Sequence, residues 1–131
     1  MLAGLDERTA IVARYLGTLL AQDVETALAC LHPRWQLVTL RPGIVVTRDR
    51  FADALGSAEP GYDHLDLRRE FDEPALLAGG RVLVVTRTIL TWRETAEHAA
   101  TIDRGALFVL EGGLITEHRI LRTRQDAPAA G

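Results

Sequence analysis

Apolar residues recur along this chain in two periods, and the switch between them divides it into a helical first part and a strand-rich remainder. From Asp6 to Gln22, residues Ile11, Val12, Tyr15, Leu16, Leu19 and Leu20 fall on one helical face, with Asp6 placed to cap it. Asp23 opens a second, shorter helix striped by Val24, Ala27, Leu28 and Leu31, which must end before Pro33. A strand is predicted from Trp35 to Leu40, a turn at Pro42 and Gly43, and a short strand from Ile44 to Val46. Thr47 then caps a third helix burying Phe51, Ala54 and Leu55, and Gly56 to Gly61 is a loop.

Beyond that loop the period is two. His64 to Asp72 alternates strictly, with Leu65, Leu67, Arg69 and Phe71 on one face and His64, Asp66, Arg68, Glu70 and Asp72 on the other. Arg69 occupies an apolar phase, so it is expected to be buried and paired with a carboxylate. Arg81 to Arg93 is a further strand, interrupted by Arg87, and Ala100 to Thr123 is a long hairpin turning at Gly112-Gly113. Counting from that turn pairs Glu111 with Leu114, Val109 with Thr116, Leu107 with His118, Gly105 with Ile120 and Asp103 with Arg122. One face then carries Asp103, Leu107, His118, Ile120 and Arg122. The other carries Phe108, Leu110, Ile115 and Leu121 with Arg104, Glu117 and Arg119. Neither face is plainly wet. Either one lines a cavity or packs on helices while the other meets a partner, or the sheet curves so strongly that its ends and middle differ in exposure. Helices followed by antiparallel strands indicate an α+β domain, with the helices against one face of a curved sheet.

The 131 residues, 47% hydrophobic and 25% charged, suit one domain, here residues 1–123 with a loose tail at 124–131. The net charge of -3 and the dispersal of the cations disfavour nucleic acid. All 15 cations are Arg, and Lys and Asn are absent, a bias that hints at a GC-rich bacterial genome. Cys30 is alone, which removes an intrachain disulfide and fits a reducing cytoplasm. The apolar runs are short and broken by charge, so no membrane span or signal peptide is expected. No spacing of the four His with acids suggests a metal, and no glycine-rich loop precedes a helix to hold phosphate. His32 is read as a helix-end residue, and His64 and His98 as exposed.

The chain resembles the nuclear transport factor 2-like superfamily and, within it, the SnoaL-like proteins. The resemblance runs through ARYLGTLLAQDVETALACLHPRW, GIVVTRDRFADAL and FVLEGGLITEHRILRT, in that order and spacing. It implies a cone-shaped half-barrel, a curved and mainly antiparallel sheet covered by three N-terminal helices, with a pocket between them. It also implies a homodimer through the outer sheet face. The tyrosine after the first-helix arginine in ketosteroid isomerase-like members matches Tyr15, but their general-base carboxylate falls near Thr39. The Arg-x-Asp pair of limonene epoxide hydrolase-like members falls on Ala99 and Thr101, and their last-strand aspartate on Ile120. Standard versions of both reactions are disfavoured.

The candidate catalytic residues are His118, Asp103 and Tyr15. His118 would move a proton near neutral pH, Asp103 would orient it, and Tyr15 or an arginine would stabilise developing negative charge. Trp35, Arg69, Arg87, Arg122, Leu107 and Ile120 are the candidate ligand-binding residues, with Arg87 the least fixed because the following loop does not set its pairing. Five of them have a structural alternative: His118 as a core histidine, Asp103 with Arg122 as a cross-strand ion pair, Tyr15 and Trp35 as core. Two functions stay open. One is cofactor-free isomerisation, cyclisation or ring opening of a hydrophobic, polyketide- or terpenoid-like molecule. The other is a non-catalytic binding or dimerisation module whose arginines hold a small acid.

Overall fold

In a computed structural model describing residues 6–55 and 64–121, short polar caps decide where each helix starts. Helix α1 spans Glu7–Leu20, and the Asp6 carboxylate accepts the Arg8 backbone N–H at 2.8 Å. Helix α2 spans Val24–Ala29, with Asp23 accepting from the Thr26 N–H at 3.3 Å. Helix α3 spans Arg48–Leu55, with the Thr47 hydroxyl accepting from the Arg50 N–H at 3.4 Å. The last turn of α2 has no cation of its own; Arg48 donates across from α3 to the Leu28 carbonyl at 3.0 Å, at the electronegative end of α2.

Among the described residues, seven strands follow or interleave: β1 (Leu31–Val38), β2 (Val45–Thr47), β3 (Leu65–Phe71), β4 (Ala75–Leu76), β5 (Val82–Trp92), β6 (His98–Glu111) and β7 (Leu114–Leu121). They form one sheet in the order β2-β1-β7-β6-β5-β3, with β4 also on β5. The β1–β7 pairing is parallel and all others are antiparallel. Strand β1 begins four residues earlier than its apolar pattern suggests. Between Leu31 and Gln36 its register on β7 is broken, which accommodates Pro33, a residue without an N–H for a ladder. His32 consequently lies in a strand and not at a helix end, and its Nδ1 accepts the Arg34 N–H at 3.0 Å. The two-residue strand β4 has too little pattern to be read in advance.

The Gly112-Gly113 turn forms as expected, with φ of 59° and 81°, and Glu111 faces Leu114. The pairing then departs from simple counting: Leu110 faces Ile115, but Val109 faces Glu117. Thr116 is the extra residue of a β-bulge, and its hydroxyl donates to the Val109 carbonyl at 3.1 Å. From there on, every side chain of β7 changes face relative to β6. His118 therefore pairs with Phe108, Arg119 with Leu107, Ile120 with Ala106 and Leu121 with Gly105.

The buried part of the helix-covered face is mainly apolar. Val12, Tyr15 and Leu16 of α1 and Ala27 and Cys30 near α2 pack on Trp35, Val82, Val84, Ala106, Phe108 and Ile115. Phe108 and Ile115, which simple counting puts on the face opposite His118, are fully buried in this core. On the opposite face Leu107 and Leu121 join Leu77 and Leu83 in a smaller cluster. Phe51 of α3 is partly buried against Trp35, with ring centroids 4.8 Å apart. The expected burial of Ala54 and Leu55, the loop at Gly56 to Gly61 and the tail at 124–131 lie outside the described residues. Among the described residues no helix is long and apolar enough to cross a membrane.

Because Gly113 holds a φ of 81°, a branched side chain there strains the turn that starts the hairpin. Gly113→Val is expected to lower unfolding free energy by about 1–2 kcal/mol. Urea denaturation monitored by circular dichroism measures this, and an unchanged midpoint contradicts it.

Candidate functional site

The bulge brings His118 onto the helix-covered face, in a row with Leu37 of β1 and Phe108 of β6. Its ring lies 4.5 Å from the Phe108 ring by centroids, tilted 33°. Phe108 in turn meets Tyr15 edge-on at 6.1 Å. The three rings run in series from the sheet to α1. Trp35 lies on the same face of β1 as Leu37, two residues along.

Polar atoms in this interior are few and poorly matched. The Tyr15 hydroxyl, the Trp35 indole N–H and Arg48 Nε are buried, with no hydrogen-bond partner among the described residues. Tyr15 and Trp35 are sealed, at 0% and 1% exposure. Burial, with a smaller contribution from the Cys30 sulfur, pushes the Tyr15 hydroxyl well above its usual range, so it is neutral and a donor. Burial likewise pushes the His118 imidazole down to about 4, even though part of its surface stays open. Near neutral pH His118 is uncharged and presents a basic nitrogen.

The expected orientation of His118 by Asp103 does not occur. Asp103 sits on the opposite face of β6, because it lies an odd number of residues from Phe108 in an unbroken strand. It accepts instead from Arg87 Nε at 2.9 Å, an ion pair with both side chains well exposed. Asp103 first, by hydrogen bond and then by charge, raises Arg87 above its usual value. Arg87 and Asp103 thus leave the interior inventory together. Leu107 also faces outward, in the smaller cluster, while Ile120 shares the inner face with Ala106 and is partly buried. Arg69 has the inner phase, opposite Thr88, but it is exposed and not buried as its pattern suggested. The position lies toward the sheet edge, where the helices no longer cover the strands, so phase alone does not confer burial. Arg122 lies outside the described residues. His64 and His98 are exposed, as expected.

Counting from the turn puts Phe108 on the face opposite His118, yet it is the ring joining Tyr15 to His118. No residue preference marks Thr116 as a bulge, so counting along the hairpin could not have found this. Among the described residues no three His, Cys, Asp or Glu side chains come together as a metal site. Among the described residues, a surface cleft of about 610 Å³ lies beside Trp92 and another of about 430 Å³ beside the start of α1, and neither is lined by His118.

Among the described residues, three helices over a curved mixed sheet make the cystatin-like, nuclear transport factor 2-like fold. No family model and no curated relative matches the sequence. Solved structures do. A cystatin-fold protein of Novosphingobium aromaticivorans has a TM-score of 0.66 at 18% identity, over 91% of this chain and 100% of its own. An LEH-like epoxide hydrolase of M. tuberculosis has 0.66 at 17%, over 92% and 81%. A candidate polyketide cyclase of Xanthomonas campestris pv. campestris has 0.64 at 19%, over 92% and 93%. These likenesses establish the fold.

Two consequences of the burial are measurable. Tyr15→Phe removes an unpartnered buried hydroxyl and is expected to leave the fold as stable or raise it by about 1 kcal/mol; a loss by calorimetry shows that the hydroxyl has a partner. His118 falls from an ordinary 6.5 to about 4 in the fold, so between those values the unfolded chain binds more protons. Its stabilising contribution is full above about 6.5 and is lost as pH falls toward about 4. His118→Gln should flatten the melting temperature over that window, and an identical pH profile in both proteins contradicts the assignment.

Proposed function

We propose that the chain is a small-molecule enzyme that moves a proton on a hydrophobic substrate without a cofactor, in the manner of an isomerase or cyclase. The observation that carries this reading is His118, held uncharged on the helix-covered face beside a ring series that leads to the unpartnered hydroxyl of Tyr15. The imidazole takes a proton from carbon and returns it elsewhere on the same molecule, so atoms and electrons balance with no oxidant. Tyr15 and the Trp35 N–H are the donors available to an oxyanion that forms meanwhile. A base of such low strength needs an already acidic carbon, as between two carbonyls in a polyketide-like chain. The likeness to structures described as a candidate polyketide cyclase and an epoxide hydrolase supports a small-molecule site of this kind.

A second reading, a non-catalytic binding or dimerisation module, is favoured by one observation: Tyr15 and Trp35 are sealed from solvent. Turnover separates the two. With a 1,3-dicarbonyl substrate, His118→Gln is expected to lower turnover by roughly 10²-fold to 10⁴-fold with the circular dichroism spectrum intact. Wild-type activity should fall as pH drops through about 4, as the base becomes protonated. Full activity in a folded His118→Gln variant removes the catalytic reading and leaves the module.

Assembly belongs to the same proposal. Leu83, Val85, Ile89 and Val109 lie partly exposed on the outer sheet face, and a homodimer in the cytoplasm would cover them. Light scattering is expected to give the mass of two chains at micromolar concentration, and a monomer mass overturns this part.

A further inference from the structure

The 610 Å³ cleft lies at the far end of the sheet from His118 and is built by the connection between β5 and β6. Trp92 closes β5 ten positions beyond Val82, the partner of Phe108, which is roughly 33 Å of strand. The cleft is lined by His64, Trp92, Arg93, Glu94, Thr95 and Glu97.

Its frame is fixed by hydrogen bonds. The Trp92 N–H donates to the Glu97 carbonyl and the Ala96 N–H to the Trp92 carbonyl, each at 2.8 Å. The Arg93 N–H donates to the His64 carbonyl at 3.0 Å, tying the connection to the start of β3. Ala96 accepts a φ of 58° to close the turn, and the Glu97 N–H donates to the Thr95 hydroxyl at 3.3 Å. A small ligand would therefore meet a preformed rim.

The chemistry of that rim is one-sided. Arg93, its guanidinium, is already engaged: Nε donates to Asp66 at 3.1 Å and Nη2 to the Leu65 carbonyl at 3.3 Å. Among the described residues, the carboxylates of Glu94 and Glu97 enter no ion pair. In the same cleft Trp92 leaves 48% of its surface in solvent, an uncommon exposure for the residue type with most apolar area to hide. The volume suits a small organic molecule. An indole face attracts cations through its quadrupole, and two unpaired carboxylates add to that attraction.

We propose that this cleft is a binding site for a small organic cation of the quaternary ammonium type, seated on the Trp92 indole and held by Glu94 and Glu97. It is independent of the His118 reaction. The protein contains two Trp residues, and Trp35 is buried, so exposed indole fluorescence reports on Trp92 alone. Choline is the probe, with 3,3-dimethylbutanol, its uncharged isostere of the same shape, as the control. The intact chain is expected to show saturable fluorescence change and heat of binding with choline at millimolar concentration, and neither with the alcohol. Because Trp92→Leu removes the optical signal, calorimetry reads the variants. Trp92→Leu and the double variant Glu94→Gln, Glu97→Gln should each weaken binding by at least about tenfold, while His118→Gln should leave it unchanged. An equal response to the alcohol, no saturable heat with choline, or wild-type affinity in the double variant overturns the proposal.

Discussion

One extra residue on one strand decides what faces the interior. The hairpin turn at Gly112-Gly113 would, by itself, put His118 on the side of Leu107 and Asp103. Thr116 bulges instead and is held by its hydroxyl bond to Val109, so a residue at the turn-proximal end of β7 rotates everything after it. The core contact of Phe108 with His118, the outward exit of Leu121 and the separation of Asp103 from the imidazole all follow from that rotation. A histidine deprived of a carboxylate and pressed against a phenyl ring has no reason to hold a proton, and its electrostatics are set by desolvation alone.

Much of the fold was legible because its signals are local. Asp6, Asp23 and Thr47 cap the three helices where the apolar stripes begin, and the alternation of residues 64–72 and the paired glycines fix strands and turn. The sheet order was less so, since the parallel pairing of β1 with β7 joins distant segments whose patterns carry no address for one another. The site was legible only in part. His118, Tyr15, Trp35 and Ile120 do share the inner face, but the pairing that set Leu107 and Asp103 on the same face as His118 fails at Thr116. Arg69 fails differently: its phase is right, yet phase reports the face and not the depth of cover. Both misses concern quantities that a period of two cannot encode.

The two faces also divide the charge. On the outer side, Glu70, Arg87 and Asp103 stand in one row across β3, β5 and β6, with Arg119 and Glu117 paired on β7. Such exposed pairs contribute little to stability, but they keep a long, regular, open sheet from presenting an unbroken apolar surface. Leu83, Leu107 and Leu121 on that side are grouped around Leu77, from the segment after β4. Polarity is thus spread over the outside, while inside the few polar groups are concentrated around the rings of Tyr15, Trp35 and His118.

The parallel junction of β1 with β7 has a consequence for how the molecule comes to be. Leu37 and His118 are neighbours in the sheet although about 80 residues separate them in the chain. Closing so large a loop is an entropic toll that local helix formation cannot repay, which makes this seam a slow, late event relative to the β6–β7 hairpin. During synthesis α1, α2 and β1 emerge long before the strand that completes their side of the core. Until β7 arrives, Trp35 and the apolar stripe of α1 lack Ile115 and His118 to pack against, and the growing chain carries its stickiest surface the longest.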